Sequence, residues 1–288
     1  MNLVRRSELV TGAYFAYTAV LALWLPVRPP IPAVTIAMDA VVIGGLGLIA
    51  YADSLRGREY ISVLRDWYPL SLLLLAYREM GWLAPAQHNY ALERAFEAFD
   101  KTVLNTLGVK AAIEALGPVL PSVLEIAYAV VYGVPAFALT MLYVYRVRER
   151  SERLLLPVMF GVLLVYVLLP WFPSEPPRTV FPGQDFPAFD TVFRRFNWWL
   201  LGGYGIHMGV FPSAHVSSSF SAAFAMRRIL PERPWVGRFM VSLATLIAVA
   251  TVYGRYHYAA DALAGFAVSL AAQAVATSAF GRGGVRRL

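Results

Sequence analysis

Apolar residues along this chain fall in long blocks, and most of the arginines sit in the short polar runs between them. Eight blocks are long enough to cross a ~30 Å hydrocarbon core at ~1.5 Å per helical residue. They lie at about 9–27, 32–52, 66–84, 120–145, 154–173, 212–230, 236–254 and 256–280. The first follows Arg5 and Arg6 but lacks a small-residue cleavage site, so it reads as a span and not a leader. The pattern predicts an all-α fold: a polytopic transmembrane bundle of about eight spans, forming a single integral membrane domain over 1–288.

Two connections are longer. Residues 85–119 set Phe96, Phe99, Val103, Leu104 and Leu107 against Glu93, Glu97, Asp100 and Lys101, the pattern of helices lying on a membrane surface. Residues 174–211 carry Pro176-Pro177-Arg178, Pro182-Gly183 and Gly202-Gly203, and read as an ordered loop or lid.

Composition narrows the class. Of 288 residues, 58% are hydrophobic and 15% charged, against about 25% charged in ordinary soluble domains. A water-soluble globule this apolar could not cover itself. The chain has no cysteine, which excludes disulfides, thiolate nucleophiles and Cys-held zinc or iron–sulfur clusters. A net charge of +7 would suggest nucleic acid in a soluble protein. Here the arginines cluster at block ends, no nucleic-acid motif is present, and the membrane accounts for the charge.

The charge also orients the chain. Counted over alternate connections, sixteen Lys and Arg fall on one side, among them Arg5, Arg6, Arg58, Arg65, Arg148, Arg150, Arg282, Arg286 and Arg287; seven fall on the other. The bias predicts both termini in the cytoplasm.

Polar residues that a span should avoid gather on the opposite, extracytoplasmic face. The fifth block ends in Pro176-Pro177-Arg178, the sixth opens with Pro212-Ser213-Ala214-His215, and the seventh runs into Arg255-Tyr256-His257 and Asp261. Three sequence-distant polar clusters at one depth indicate a site. His257 and Asp261 are four apart and share a helical face. A carboxylate on one imidazole nitrogen frees the other and fixes its tautomer. His215 is a second imidazole able to give or take a proton. Arg178 and Arg255 can fork onto an oxyanion, and Pro212-Ser213 suggests a helix N-terminus that also favours one. Together these make a phosphoryl-transfer site that needs neither metal nor cofactor. Taken alone, His257 and Asp261 are equally a structural hydrogen bond, and their spacing also serves metal ligation, although two nearby arginines disfavour a cation. His88 and His207 read as structural. Asp39, Arg78, Glu79 and Glu125 are costly in lipid unless paired, so interhelical pairing is expected of them.

At these residues the chain resembles the type 2 phosphatidic acid phosphatase superfamily of membrane lipid phosphatases and phosphotransferases. Its PSGH signature is matched by Pro212-Ser213-Ala214-His215, and the His and Asp that end its third signature are matched by His257 and Asp261. Of the first signature, Lys-x6-Arg-Pro, only Arg178 is matched, because Trp171 and Thr179 stand at the other places. Ala250 and Thr251 replace the Ser-Arg of the third, and an arginine appears instead at 255, one helical turn beyond 251 if the helix continues. The string Arg-Tyr-His-Tyr-x-x-Asp and the PPR loop are most similar to the inositol phosphorylceramide synthase and sphingomyelin synthase branch.

The resemblance implies a six-helix catalytic core, with the signatures falling in about 154–280. It implies His257 as a nucleophile that becomes a phosphohistidine, Asp261 as its orienting partner and His215 as the general acid. Arg178, Arg255 and Ser213 would hold the phosphate. The partners implied are a lipid phosphate in the bilayer and either water or an alcohol as acceptor, a choice the residues leave open. A non-enzymatic transporter or flippase of an anionic lipid is the rival reading. A serine hydrolase built on Ser213 and His257 lacks the GxSxG context.

Overall fold

The computed structural model describes residues 3–56, 59–84 and 88–281. Among them the fold is all-α: α1 (Arg6–Trp24), α2 (Ile31–Arg56), α3 (Glu59–Leu83), α4 (Ala91–Lys101), α5 (Val109–Glu114), α6 (Val119–Ala129), α7 (Val134–Val144), α8 (Ser151–Leu168), α9 (Pro177–Val180), α10 (Val192–Tyr204), α11 (Ala214–Ile229), α12 (Pro234–Tyr253) and α13 (Ala259–Phe280). Of the topogenic arginines, Arg58, Arg282, Arg286 and Arg287 lie outside the described residues.

Every predicted span coincides with a helix or a helix pair, but not all are equally suited to lipid. Four helical stretches are long and apolar enough to cross a membrane: Ile31–Leu55, Arg148–Trp171, Pro234–Tyr253 and Ala259–Phe280. The fourth predicted block is broken into α6 and α7, bent by 44°, and counts as a fifth only if the pair is one span. The remaining three fall short for visible reasons. Helix α1 opens with Arg6, Ser7 and Glu8, α3 carries Arg65, Asp66, Arg78 and Glu79, and α11 has only 16 residues. Among the described residues, length and apolarity thus mark four or five of the eight expected spans.

Helix α8 is the axis of the bundle, packed against α1, α3, α11 and α13. Lipid tails are as apolar as Leu, so membrane helices gain most by close packing of small residues. Helix α11 supplies such a surface with Ser217, Ser221, Ala222 and Ala225, all buried. Ser217 Oγ donates to the Gly161 carbonyl at 2.8 Å. A β-carbon at Gly161 would stand 2.5 Å from Ser221 Oγ, so any larger residue there would force that hydroxyl to move.

The two ends of α8 are held differently. At its start, buried Asp66 accepts from Arg5 (2.6 Å), Tyr143 (2.7 Å), Ser151 (2.8 Å) and Arg148 (3.0 Å), tying α1, α3, α7 and α8 into one polar knot. Its far end leads into α9 and the polar segments described next.

Over the described part of 85–119 the expected helices are present, and in α4 the expected facing is reversed. In α4 it is Glu93, Glu97 and Asp100 that are buried, while Phe99 is 40% exposed. The acidic stripe faces inward because it meets a cationic loop of the candidate site.

Candidate active site

Three turns bring the site together. Helix α9 carries Arg178, whose backbone N–H donates to the Arg255 carbonyl at 3.3 Å. Ser213 caps α11, its hydroxyl accepting from the Val216 N–H at 3.4 Å, and so places His215 in the first turn. Ser213 N–H donates to the Asp261 carbonyl at 3.0 Å, which joins the start of α11 to the first turn of α13. A β-carbon at Gly265 would lie 2.4 Å from the Ser213 carbonyl oxygen, so this junction needs glycine there.

The third turn is the least expected. Helix α12 ends at Tyr253, and Arg255 adopts the left-handed conformation with φ 62°. Glycine normally fills such a position after a helix, and another residue costs about 1–2 kcal/mol. The turn reverses the chain and sends His257 back toward His215. The continuous helix through 251 and 255 considered from sequence therefore does not form.

His215 and His257 face each other edge to face, with ring centroids 5.4 Å apart. Nδ1 of His257 lies 3.0 Å from the Val210 carbonyl oxygen and 3.3 Å from Asp261 Oδ2. A carbonyl only accepts, so Nδ1 carries the proton and Nε2 keeps its lone pair. Asp261 Oδ2 also accepts the Tyr258 N–H at 2.8 Å, which makes this carboxylate a cap of α13 as well as a partner of the histidine. His257 lies in the loop between α12 and α13, outside both spans. Burial pushes its imidazole down to about 3, and the neighbouring Arg178 charge acts in the same direction, against the Val210 carbonyl.

Both imidazoles and Arg178 line one cavity of ≈ 40 Å³, with Tyr77, Tyr128, Tyr166 and Tyr256. Tyr128 and Tyr256 stack at 3.9 Å and 12°. The Arg178 guanidinium lies 5.8 Å from the Tyr256 ring centroid and donates to the Tyr256 carbonyl at 3.4 Å. His215 also meets Tyr128 and Tyr132 edge-on at 5.4 and 5.2 Å. A second, apolar groove of ≈ 380 Å³ runs from this point between α3, α7, α8 and α11. It shares Tyr77, Tyr166, Ala214 and His215 with the small cavity, and Leu70, Leu74, Pro135 and Val162 line its length.

Two residues expected to hold phosphate are placed elsewhere. The Arg255 guanidinium is fully buried, with Nη1 2.5 Å from Asp100 Oδ2 and Nη2 paired with Glu97. Its charge is committed to two carboxylates, and it does not line the cavity. Ser213 is fully buried as a cap and does not line it either. His207 is exposed and does not line the cavity, and His88 is paired with Glu93.

Of the other buried charges, Glu125 is paired as expected. It accepts from Arg194 (3.1 Å), Asn197 (2.7 Å) and the Tyr256 hydroxyl (2.6 Å). Asp39 accepts from Thr18 at 3.1 Å, and the Arg78 guanidinium lies 5.9 Å from the Tyr204 ring centroid. Glu79 is fully buried with no ion-pair partner among the described residues. The sequence offered no cue to the Val210 carbonyl, since a main-chain acceptor has no residue signature.

Residues 103–275, more than half of the chain, match the PAP2 superfamily. A PA-phosphatase related-family protein of Dictyostelium discoideum is 42% identical over 62 residues, which are 22% of this chain and 11% of that protein. The chain thus spans 11% of the length of the curated relative it matches. A crystal structure of Aquifex aeolicus LpxE is similar at a TM-score of 0.37 and 19% identity, over 73% of this chain and 94% of that one. On the extent of the family match, the chain belongs to the PAP2 superfamily.

Proposed function

We propose that the protein is a membrane-embedded lipid phosphatase or phosphotransferase that works through a phosphohistidine at His257. Superfamily membership supports phosphatase-type chemistry. The observation that carries the reading is the convergence of His257, His215 and Arg178 on one cavity, with the Nδ1 proton of His257 engaged and Nε2 free.

The steps follow from these positions. Arg178 draws in a phosphate group and stabilises charge on its oxygens as the bond order to the leaving oxygen falls. The Nε2 lone pair of His257 forms the P–N bond. The proton on Nδ1 stays on the ring, shared with the Val210 carbonyl and Asp261. The leaving oxygen takes a proton from His215, whose imidazolium form the incoming phosphate dianion favours. His215, now neutral, then removes a proton from water or from an alcohol, and the new oxygen displaces the P–N bond. Water makes the protein a phosphatase and an alcohol makes it a transferase. The Arg255-Tyr256-His257-Tyr258 string supports a phosphoinositol-type transferase as the finer reading.

The apolar groove beside His215 supports a lipid substrate, because a hydrocarbon chain can lie along Leu70, Leu74 and Val162 while its phosphate reaches the cavity. The arginine asymmetry supports an extracytoplasmic site.

The test is incubation of the purified protein in detergent with phosphatidylinositol, phosphatidic acid and an isoprenyl diphosphate, following free phosphate and new lipid together. Turnover that His257→Ala abolishes, with lipid binding retained, is expected. Binding without turnover in the unaltered protein would favour the non-enzymatic transporter or flippase.

A further inference from the structure

Helix α4 lies upstream of the segment that matches the superfamily, yet it touches all three segments that build the site. Glu93 accepts the Glu175 N–H at 3.0 Å, in the run leading to Arg178. Phe96 packs on Phe211 at 5.1 Å, in the run leading to His215, and on Tyr258 at 5.7 Å. Glu97 and Asp100 hold Arg255. These four positions fall at i, i+3, i+4 and i+7, one face of a helix.

Asp100 has the most telling position. Its Oδ2 pairs with the Arg255 guanidinium and its Oδ1 accepts the Ala259 N–H at 2.8 Å. Arg255 and Ala259 are the two ends of the short loop that carries His257. One buried carboxylate therefore pins both ends, and it pins them where the left-handed Arg255 would otherwise relax. On the far side, Arg194 of α10 donates to the Gly254 carbonyl at 3.3 Å, so the loop is gripped from two surface helices.

We propose that Asp100, assisted by Glu97, is a positioning residue that holds the His257 loop in its reactive geometry, and that α4 is the clamp of the site. The assignment rests on the phosphatase or transferase reading for its kinetic meaning. It also gives Arg255 a role other than phosphate binding: it is the anchor point of the clamp.

Asp100→Leu removes both contacts. Asp100→Asn keeps an oxygen for the Ala259 N–H and loses the charge and the acceptor that face Arg255. A misplacement of the nucleophile near 1 Å costs on the order of a hundredfold in rate. The expected result is a loss on that order in kcat for Asp100→Leu, a smaller loss for Asp100→Asn, and a KM within about twofold of the unaltered protein in both. Hydrogen–deuterium exchange in detergent, without substrate, should show faster exchange at residues 255–259 in the same order of variants. Arg178→Lys, by contrast, should raise KM and leave that exchange unchanged. Because Asp100→Leu leaves the buried Arg255 with Glu97 as its one remaining carboxylate, the variant Glu97→Leu/Asp100→Leu/Arg255→Met serves where it fails to fold. It removes the buried charges together, and kcat should stay low with fast exchange at 255–259. Full recovery of kcat in that triple variant would overturn the clamp. So would a rise in KM with kcat preserved in Asp100→Leu, or unchanged exchange. If the unaltered protein turns over no lipid phosphate, the functional reading fails, and the exchange measurement still decides whether Asp100 holds the loop.

Discussion

The Val210 carbonyl oxygen is nearer to Nδ1 of His257, at 3.0 Å, than Asp261 Oδ2 is, at 3.3 Å. The tautomer of the histidine is therefore fixed by the main chain and supported by the carboxylate. In a serine triad, where a carboxylate alone sets the tautomer, Asp→Asn costs about 10⁴ in rate. Asp261→Asn should cost far less here, about tenfold in kcat, since Val210 still accepts the Nδ1 proton. A loss near 10⁴ in the purified variant would return the orienting role to Asp261.

The pH dependence follows from the burial of His257. Its folded-state value is lowered to about 3, so the imidazole is neutral and nucleophilic throughout the range where an ordinary histidine titrates. The acid limb of kcat/KM should not show a group near 6.5 that belongs to His257. The same shift makes the unfolded chain bind more protons between pH 3 and 6.5, so its contribution to stability is complete above the unfolded value and lost as pH falls. A pH–rate profile compared with a thermal-melt series in detergent checks both.

The two arginines expected at the phosphate should separate cleanly. Arg178→Lys should raise KM, because an ammonium cannot reproduce the forked contact with a phosphate. Arg255→Met should instead destabilise the fold by about 3–5 kcal/mol, by leaving Glu97 and Asp100 buried without their cation. The measurements are KM for the first and Tm for the second. Equal effects of both on KM alone would restore Arg255 to the phosphate.

Rapid-quench labelling with a phosphorus-labelled substrate should place acid-labile phosphate on His257 and none on His257→Ala. His215→Ala should slow transfer most for poor leaving groups, which need protonation more. Activity should persist in EDTA. Full loss in EDTA, restored by a divalent metal, would mean that the imidazoles are ligands and not a nucleophile and an acid.

A reporter inserted near Gln184 should read outside and one at the carboxyl terminus should read cytoplasmic. The reverse pattern would place the site, and its substrate, in the cytoplasmic leaflet.

What the sequence determined by itself was what short-range chemistry encodes. Apolar blocks of bilayer length mark helices here, and each of the eight predicted blocks overlaps one of α1 to α3, α8 and α11 to α13 or the pair α6 and α7. His215, His257 and Arg178 stand at the ends of such blocks, and the structure brings them to one cavity. Tertiary structure decided the rest, because it depends on which face meets which. Local pattern marks α4 as amphipathic but does not say that its carboxylates turn inward; that follows from Arg255 arriving, 155 residues after Asp100, on a left-handed turn. For the same reason an arginine one turn from a signature position looked like a phosphate ligand. In the fold its charge is met by two carboxylates, and a buried guanidinium held by both does not reach into the cavity.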